Sequence, residues 1–392
     1  MKESEEGSLL ESVDRMAPVI REHAAQAERE GRLPKPVVDA MKKAGLFRLW
    51  VPKAFGGLEV DPLTSFRIFE EVSRVDSAAG WNLMIVSGVL TLMPWITDEG
   101  VGEIFKDPDA IVAGTLNPPG RAVAIDGGYR VTGRMPFVSA CHHATWFLGP
   151  AHVFDGDTPR LDESGQPVTI VITYPASDAE IIDNWNVLGM RGTGSHDVAI
   201  DDVFVPARQT GPLEPLESLR PAFDQPLFRL TIWHAVGAIS TVALGIARAA
   251  IDDLIDLAAK KTPAFTPSPL RDRAAAQSQL ARAEALWGSA RAYLYETYQK
   301  AWESALEGHM ITEEQKVKAQ LASSQAVAAC VEATELVHAA AGTSGIRQER
   351  PFERHFRDAH TISQHAFTSA NRFESMGQVL FGLPSNWPFF VL

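Results

Sequence analysis

Near its C-terminus the chain reads Glu353-Arg354-His355-Phe356-Arg357-Asp358-Ala359-His360-Thr361-Ile362-Ser363-Gln364-His365. Apolar residues recur in and beside this stretch at steps of three and four, the period of an α-helix; they are Phe352, Phe356, Ala359, Ile362 and Ala366. The pattern predicts one helix, part of whose ionisable groups point into a site or a subunit contact.

The three histidines of this stretch do not form a metal site. His355, His360 and His365 are five residues apart, so neighbouring members lie roughly 140° apart around a helix axis. They share no face, and no metal site is predicted. We interpret Arg357 and Asp358 as structural ion-pairing groups.

The whole chain has the composition of a globular protein, with 392 residues, 45% of them hydrophobic and 22% charged. This length suffices for two or three packed units. The net charge of −13 argues against nucleic acid or a membrane as the main partner. Cys141 and Cys330 suggest no disulfide framework, and no signal peptide is visible at the N-terminus. We therefore expect a cytoplasmic protein.

Hydrophobic periodicity divides the chain into three domains of an α+β protein. Residues 1–110 have helical spacing, with Trp81–Trp95 interpreted as one buried helix. Residues 111–212 alternate as short strands, and Asp126-Gly127-Gly128 predicts a hairpin. Residues 213–392 predict a four-helix bundle, with helices near 225–259, 272–308, 313–341 and 351–381.

Familiar nucleotide and metal motifs are missing from the sequence. Gly192-Thr193-Gly194-Ser195 lacks the third glycine and the following helix of a dinucleotide fingerprint. The pair His142-His143 has no nearby cysteine or acid set with metal-ligand spacing. No nicotinamide site is predicted.

Two blocks carry a family resemblance. Leu188–Asp197, with Asp202–Pro206, and Pro351–Asp358 are similar to two signatures of the acyl-CoA dehydrogenase superfamily. The resemblance covers nearly the whole chain. It implies an N-terminal helical domain, a central β-barrel-like domain, a C-terminal four-helix bundle and a homotetramer.

The residues at the base positions indicate the branch of the superfamily. A dehydrogenase needs a carboxylate to abstract a proton next to the thioester, and alignment on Arg357-Asp358 puts Ala366 there. The second known location, within Phe228–Ile251, contains no Asp or Glu. His365 beside Ala366 instead resembles the two-component flavin-dependent monooxygenases of the p-hydroxyphenylacetate and steroid-phenol hydroxylase type.

A second pattern of that branch lies in Gly133–Ala140. By the resemblance, Ser139 is expected to hydrogen-bond flavin N5. Met135 and Ala140 depart from the usual Trp and Gly, and the Trp81–Met93 segment lacks the second active-site histidine of many relatives. The two substitutions concern the shape of the flavin pocket, and the missing histidine leaves the substrate class open.

The resemblance implies the chemistry of an oxygenase component. Reduced flavin, either FMNH2 or FADH2, reacts with O2 to a C4a-hydroperoxide that hydroxylates a small apolar, aromatic or polycyclic substrate. A separate NAD(P)H:flavin reductase supplies the flavin. Ser139 and His365 are the expected catalytic residues.

Further flavin contacts follow from the same resemblance. The expected cofactor-binding residues besides Ser139 are Asn117, Phe137, Val138, Arg191, Thr193, Gly194, Ser195, Gly342 and Gly345. Arg271 or Arg273 of a neighbouring subunit is a further candidate for the flavin phosphate.

Three other functions stay open at this stage. The chain could be an acyl-CoA dehydrogenase with an unrecognised base, an N- or S-oxygenase of the same branch, or a catalytically inactive ligand-binding protein. Flavin binding, acyl-CoA oxidation and O2 consumption distinguish them.

Overall fold

The computed structural model describes residues 3–117 and 120–392, and its elements follow the predicted order of helices, strands and helices. The first part of the chain forms α1 (Glu3–Glu30), α2 (Lys35–Lys43), α3 (Pro62–Val75), α4 (Ser77–Val89) and α5 (Asp98–Phe105). Asp61, Asp76 and Thr97 cap the last three helices by accepting backbone N–H groups of their first turns.

The predicted Trp81–Trp95 helix changes character part-way. α4 ends at Val89, and Leu90–Trp95 continues as a 3₁₀ helix containing Pro94. Proline lacks the N–H that an α-helix needs and clashes with the preceding turn, so the tighter geometry replaces the α-helix here.

The middle of the chain forms one mixed sheet. Its strands are β1 (Val112–Gly114), β2 (Gly120–Ile125), β3 (Gly128–Val138), β4 (Trp146–Asp155), β5 (Thr158–Pro159), β6 (Thr169–Pro175), β7 (Glu180–Ile182), β8 (His196–Pro206) and β9 (Thr210–Pro212). The order is β7-β8-β3-β2-β4-β6-β9, with β1 and β5 paired to β4. The predicted hairpin is confirmed: Ile125 pairs with Gly128 across a two-residue turn.

β3 carries the irregularity that positions the site. Its register against β8 shifts between Met135 and Val138, and Phe137 adopts a left-handed backbone with φ of 60°. A bulge of this kind bends a strand and re-aims its side chains. Ser139 follows directly, and its side chain faces away from the sheet toward the helices.

The last part forms α6 (Pro226–Arg229), α7 (Trp233–Lys260), α8 (Ala274–Leu306), α9 (Glu313–Ala341), α10 (Phe352–Ile362) and α11 (Asn371–Leu380). The sequence prediction of one helix over 351–381 is therefore wrong. Residues 363–370 interrupt it, and His365 lies in that turn rather than on a helix.

α7 lies at the centre of the helical core and packs against α3, α4 and α9. Its close contacts require glycine: a Cβ on Gly237 would lie 2.4 Å from the Tyr298 ring, and one on Gly245 would lie 2.4 Å from the carbonyl oxygen of Glu70. The segments Ser77–Trp95 and Trp233–Lys260 are apolar and long enough to cross a membrane by composition. In each, 89% of the apolar window is buried inside the fold, as in core helices of globular proteins.

Candidate active site

A cavity of about 810 Å³ opens where the three parts of the chain meet. Its walls come from α4, the end of β3, the loop before β8, the start of α7, the turn after α10 and the C-terminal segment Trp387–Phe389. A volume of several hundred Å³ is typical of sites for organic ligands and cofactors.

Ser139 stands in a chain of hydroxyl groups on the β-domain wall. The Nε1 of Trp81 donates to Ser139 Oγ at 2.9 Å, and Ser139 Oγ lies 2.7 Å from Ser195 Oγ. Ser195 Oγ lies 2.6 Å from Thr193 Oγ1, which donates to the carbonyl oxygen of Met190 at 2.8 Å. Ser139, Ser195 and Thr193 are all buried.

The groups at the two ends of this hydroxyl chain, the indole N–H of Trp81 and the carbonyl oxygen of Met190, fix the direction of each hydrogen bond between them. A carbonyl oxygen only accepts, so the single hydrogen of Thr193 is committed to Met190 and Ser195 must donate to Thr193. Ser139 must then donate to Ser195, while it accepts from Trp81. One lone pair of Ser139 remains, so this hydroxyl can present only an acceptor to the cavity.

Met190, whose carbonyl oxygen is the last acceptor of the hydroxyl chain, is held in an uncommon backbone conformation. Its φ is 56°, in the left-handed region that is sparsely populated by residues with a Cβ. Asp358 Oδ1 accepts from Met190 N at 2.6 Å, and Asp358 Oδ2 accepts from Ser77 Oγ. A Cβ on Gly189 would lie 2.3 Å from the carbonyl oxygen of Arg357, so only glycine fits between the turn and α10.

The acidic and basic residues of α10 form an ion network. Arg354 Nη2 lies 2.7 Å from Asp76, and Arg357 Nη2 lies 2.8 Å from Glu28. Burial alone would lower the pKa of Arg354, but the carboxylates of Asp76, Asp358 and Glu28 outweigh it and raise that pKa. The sequence interpretation of Arg357 and Asp358 as structural groups agrees with these contacts.

His365 lines the cavity beside Trp81, with ring centroids 5.4 Å apart and an interplanar angle of 70°. Burial lowers the pKa of His365 to about 4, so the imidazole is neutral near pH 7. The backbone N–H of Phe367 points at Nδ1 from 3.4 Å, which leaves Nε2 to carry the ring hydrogen. His365 is thus available as a neutral donor.

The other predicted cofactor residues divide into two groups. Asn117, Phe137, Thr193 and Ser195 line the cavity with Ser139. Phe137 is 67% exposed, so its ring offers an uncovered face at the cavity mouth.

Val138, Arg191 and Gly194 are not among the lining side chains. Val138 is buried in the β-domain core, Arg191 Nε donates to Val187 O at 2.9 Å, and Gly194 packs on Gly31. Any flavin contact at these positions would come from the backbone or from the rest of the Arg191 guanidinium.

Gly342 and Gly345 lie at the far end of α9, outside the cavity lining. Lys261 Nζ holds that turn by donating to Ala341 O at 2.7 Å and to Ser344 Oγ at 2.9 Å. Arg271 and Arg273 come directly before the start of α8. Their predicted flavin contacts stay predictions.

Sequence reasoning missed Trp81, Trp185 and the segment Trp387–Phe389 as site residues. Each lines the cavity, and Trp185 packs edge-on against Phe137 at 6.1 Å. Tryptophan at the start of an apolar helix was the available signal for Trp81, since a buried indole N–H usually has a partner. Nothing in the sequence pattern marks the C-terminal segment.

No carboxylate lines the cavity among the described residues, and Ala366 stands where the dehydrogenase base was sought. The same described residues contain no group of three or more His, Cys, Asp or Glu side chains placed to hold a metal ion. The site therefore offers hydroxyls, two amides, two histidines and aromatic walls.

Comparison with known proteins places this architecture in a family. Residues 3–100 match the acyl-CoA dehydrogenase N-terminal domain and residues 237–370 match the acyl-CoA dehydrogenase C-terminal domain. An indole-3-acetate monooxygenase of Pseudomonas putida is 33% identical, over 92% of this chain and 90% of its own. The chain belongs to the flavin-dependent monooxygenases of the acyl-CoA dehydrogenase family.

Two further relatives cover nearly all of this monooxygenase. The flavin-dependent monooxygenase oxygenase subunit HsaA of Rhodococcus jostii is 26% identical over 96% of this chain and 98% of its own. The structure of XiaF from Streptomyces in complex with FADH2 and glycerol superposes with a TM-score of 0.90, at 28% identity and 98% coverage of both chains. The predicted branch of the superfamily is thereby confirmed.

Proposed function

We propose that this monooxygenase is the oxygenase component of a two-component system. It takes reduced flavin from a separate NAD(P)H:flavin reductase and uses O2 to hydroxylate a small apolar aromatic substrate. A relative named as an oxygenase subunit and a structural relative in complex with FADH2 support this assignment. The observation that carries it is the single free lone pair of Ser139, an acceptor aimed into the cavity.

The residues present fit a flavin ring. Ser139 offers an acceptor, and only the reduced flavin presents N5–H as a donor. The uncovered ring of Phe137 and the indole of Trp185 supply aromatic surface beside it. The cavity is large enough to hold the tricyclic ring and leave space for a small substrate.

When bound, reduced flavin supplies the electrons that activate O2. The protein's own contribution is to hold and orient the flavin and to keep water out of the cavity. Ser139 Oγ would accept a hydrogen bond from flavin N5–H and so favour keeping that hydrogen on N5, while His365 Nε2 would donate a hydrogen bond from a neutral ring. The apolar walls and the Trp387–Phe389 segment exclude water, which limits wasteful side reactions.

Exposed apolar residues support the expected assembly. Leu380, Phe381 and Leu383, at and just beyond the end of α11, are 68%, 87% and 57% exposed. A cluster of this kind at one end of a bundle is typical of a protein–protein contact. The homotetramer and a flavin-phosphate contact from Arg271 or Arg273 of a neighbouring subunit are part of this proposal.

Anaerobic titration with both redox forms of FMN and FAD tests the assignment. Reduced flavin should bind tighter than oxidised flavin, and the complex should consume O2. Equal affinities would count against the two-component assignment, and tightly retained oxidised flavin that acyl-CoA reduces would identify a dehydrogenase instead. Absence of flavin binding in either redox state would identify a ligand-binding protein.

A further inference from the structure

The cavity contains no charged side chain of the Lys, Arg, Asp or Glu type among residues 3–117 and 120–392. Its polar lining consists of hydroxyls, two amides and two histidines, while most of the wall is aliphatic or aromatic. A buried carboxylate needs a cationic partner or several donors to offset the loss of hydration. The charge of the substrate can therefore be read from the lining.

Several hydroxyl groups that line the cavity have no hydrogen left to donate to a carboxylate. The hydrogens of Ser139, Ser195 and Thr193 are committed to one another and to Met190. Thr91 Oγ1 donates to Gly88 O at 2.8 Å, so its hydrogen is also used.

The two histidines offer no cation either. Burial lowers the pKa of His365 to about 4, which keeps its ring neutral near pH 7. His360 Nε2 lies 3.2 Å from Glu335 Oε1, so this ring already faces a carboxylate. Among the described lining residues, uncommitted donors remain at Nε2 of His365, at Nε1 of Trp387 and at the edge amides of Asn117 and Gln364, and none of these groups is a cation.

Aromatic side chains form much of the cavity wall around Phe367 and the C-terminal segment. Phe367 lies 5.1 Å from Trp387 and 5.3 Å from Phe389 by ring centroids, and Trp81 stands edge-on to His365. Such offset and edge-on surfaces favour a flat aromatic guest. Their rings carry no charge that could offset the charge of an ionised substituent.

We infer that this enzyme takes a neutral aromatic substrate and discriminates against arylacetates, unlike the relative named for indole-3-acetate. The inference rests on the proposed function for the identity of the site, but it concerns only ligand charge. Sequence similarity alone, at 33% identity, would assign the carboxylic acid substrate of that relative to this enzyme as well. The cavity lining argues against that transfer.

Binding of a matched ligand series tests the inference without turnover. Indole, indole-3-acetamide and indole-3-acetate are titrated into the protein and followed by calorimetry or tryptophan fluorescence. The acetamide has nearly the shape of the acetate but no charge, so it separates size from charge. We expect the acetate to bind at least about tenfold more weakly than the acetamide.

A parallel series of 4-methylphenol, 4-hydroxyphenylacetamide and 4-hydroxyphenylacetate repeats the comparison on a phenol ring, in case the enzyme does not bind indoles.

Gln364→Arg adds a hydrated cation at the cavity edge and should recover acetate affinity, whereas Gln364→Met, of similar length, should not. Gln364 bonds only Ser363 in the cavity edge, outside the hydroxyl chain.

Two results would overturn the inference. One is a carboxylate that binds as tightly as its amide in either series. The other is failure of every neutral aromatic compound to bind. Flavin titration in the same preparation keeps the two proposals apart, since flavin binding with tight acetate binding removes only the charge assignment.

Discussion

The indole Nε1 of Trp81 donates a 2.9 Å hydrogen bond to the Oγ of Ser139, across 58 residues of sequence. One partner comes from a core helix of the first domain and the other from the bulged end of β3. This bond uses one of the two lone pairs of Ser139 and orients the other. The domains therefore meet at the atom proposed to contact the flavin.

Ser139→Ala should uncouple the enzyme. Loss of the acceptor removes roughly 1–3 kcal/mol of stabilisation from the N5–H contact, equal to about a tenfold to hundredfold change. Reduced-flavin affinity should fall, and H2O2 release per O2 consumed should rise, as measured by a peroxidase-coupled assay. An unchanged peroxide yield would remove Ser139 from the mechanism.

Ser195→Ala tests the polarity of the hydroxyl chain. Without Ser195 as acceptor, the hydrogen of Ser139 is free to turn into the cavity and donate to the N5 of oxidised flavin. The preference for reduced over oxidised flavin should shrink, measured as the ratio of the two dissociation constants. Thr173→Val is the control, because its hydroxyl bonds Gln209 away from the site. A ratio that stays at the wild-type value contradicts the assigned directions.

Trp81→Phe removes the donor but keeps most of the aromatic surface. A neutral hydrogen bond is worth about 0.5–1.5 kcal/mol, so reduced flavin should bind about twofold to tenfold more weakly. Trp287→Phe is a matched control, since Trp287 Nε1 bonds Leu244 O outside the cavity. Equal effects of the two variants would indicate a general packing defect.

His365→Ala should leave the fold intact but lower product formation by about 10²–10⁴-fold while O2 is still consumed. Because the pKa of His365 is lowered to about 4, product formed per O2 should not titrate near pH 6.5 in the wild type. His355→Ala is the control, as His355 Nε2 pairs with Asp253 at 2.7 Å away from the cavity. A coupling step at pH 6.5 that disappears in His365→Ala would mean that the ring works as a cation.

His234 should make the protein acid-labile. It is fully buried against Trp50, with ring centroids 4.4 Å apart, and burial lowers its pKa to about 3. The unfolded chain then binds more protons between about pH 6.5 and 3. The contribution of this group to the free energy of unfolding is thus highest above about pH 6.5. It falls by up to about 1.4 kcal/mol for each pH unit as the pH is lowered from about 6.5 to 3.

Urea unfolding of wild type and His234→Phe at several pH values measures that slope. The variant should lose less stability on acidification than the wild type. Parallel curves would show that the imidazole of His234 is protonated without cost in the folded protein.

The architecture was predictable because its signals are local. Hydrophobic period, turn residues and two signature blocks are all readable within windows of about ten to twenty residues. The break after α10 was not, because Ala366 continues the apolar stripe. The turn is held from outside: Gln320 Nε2, on α9, donates to Phe367 O at 2.7 Å.

The site was predictable only in part for the same reason. Ser139 and His365 lie in recognisable patterns, and both line the cavity. The contact from Trp81, the left-handed turn at Met190 and the aromatic C-terminal wall depend on pairings between distant parts of the chain. Such pairings leave no periodic trace in a single sequence.

Asp358 also limits how this enzyme can be recombined with its relatives. One carboxylate of α10 accepts from Ser77 at the start of α4 and from Met190 in the turn that ends the hydroxyl chain. A chimera that takes its bundle from one parent and its first two domains from another would splice through this three-way junction. Crossover points for substrate-swapping libraries should therefore keep residues 77, 190 and 358 from a single parent, even though the conventional domain borders run between them.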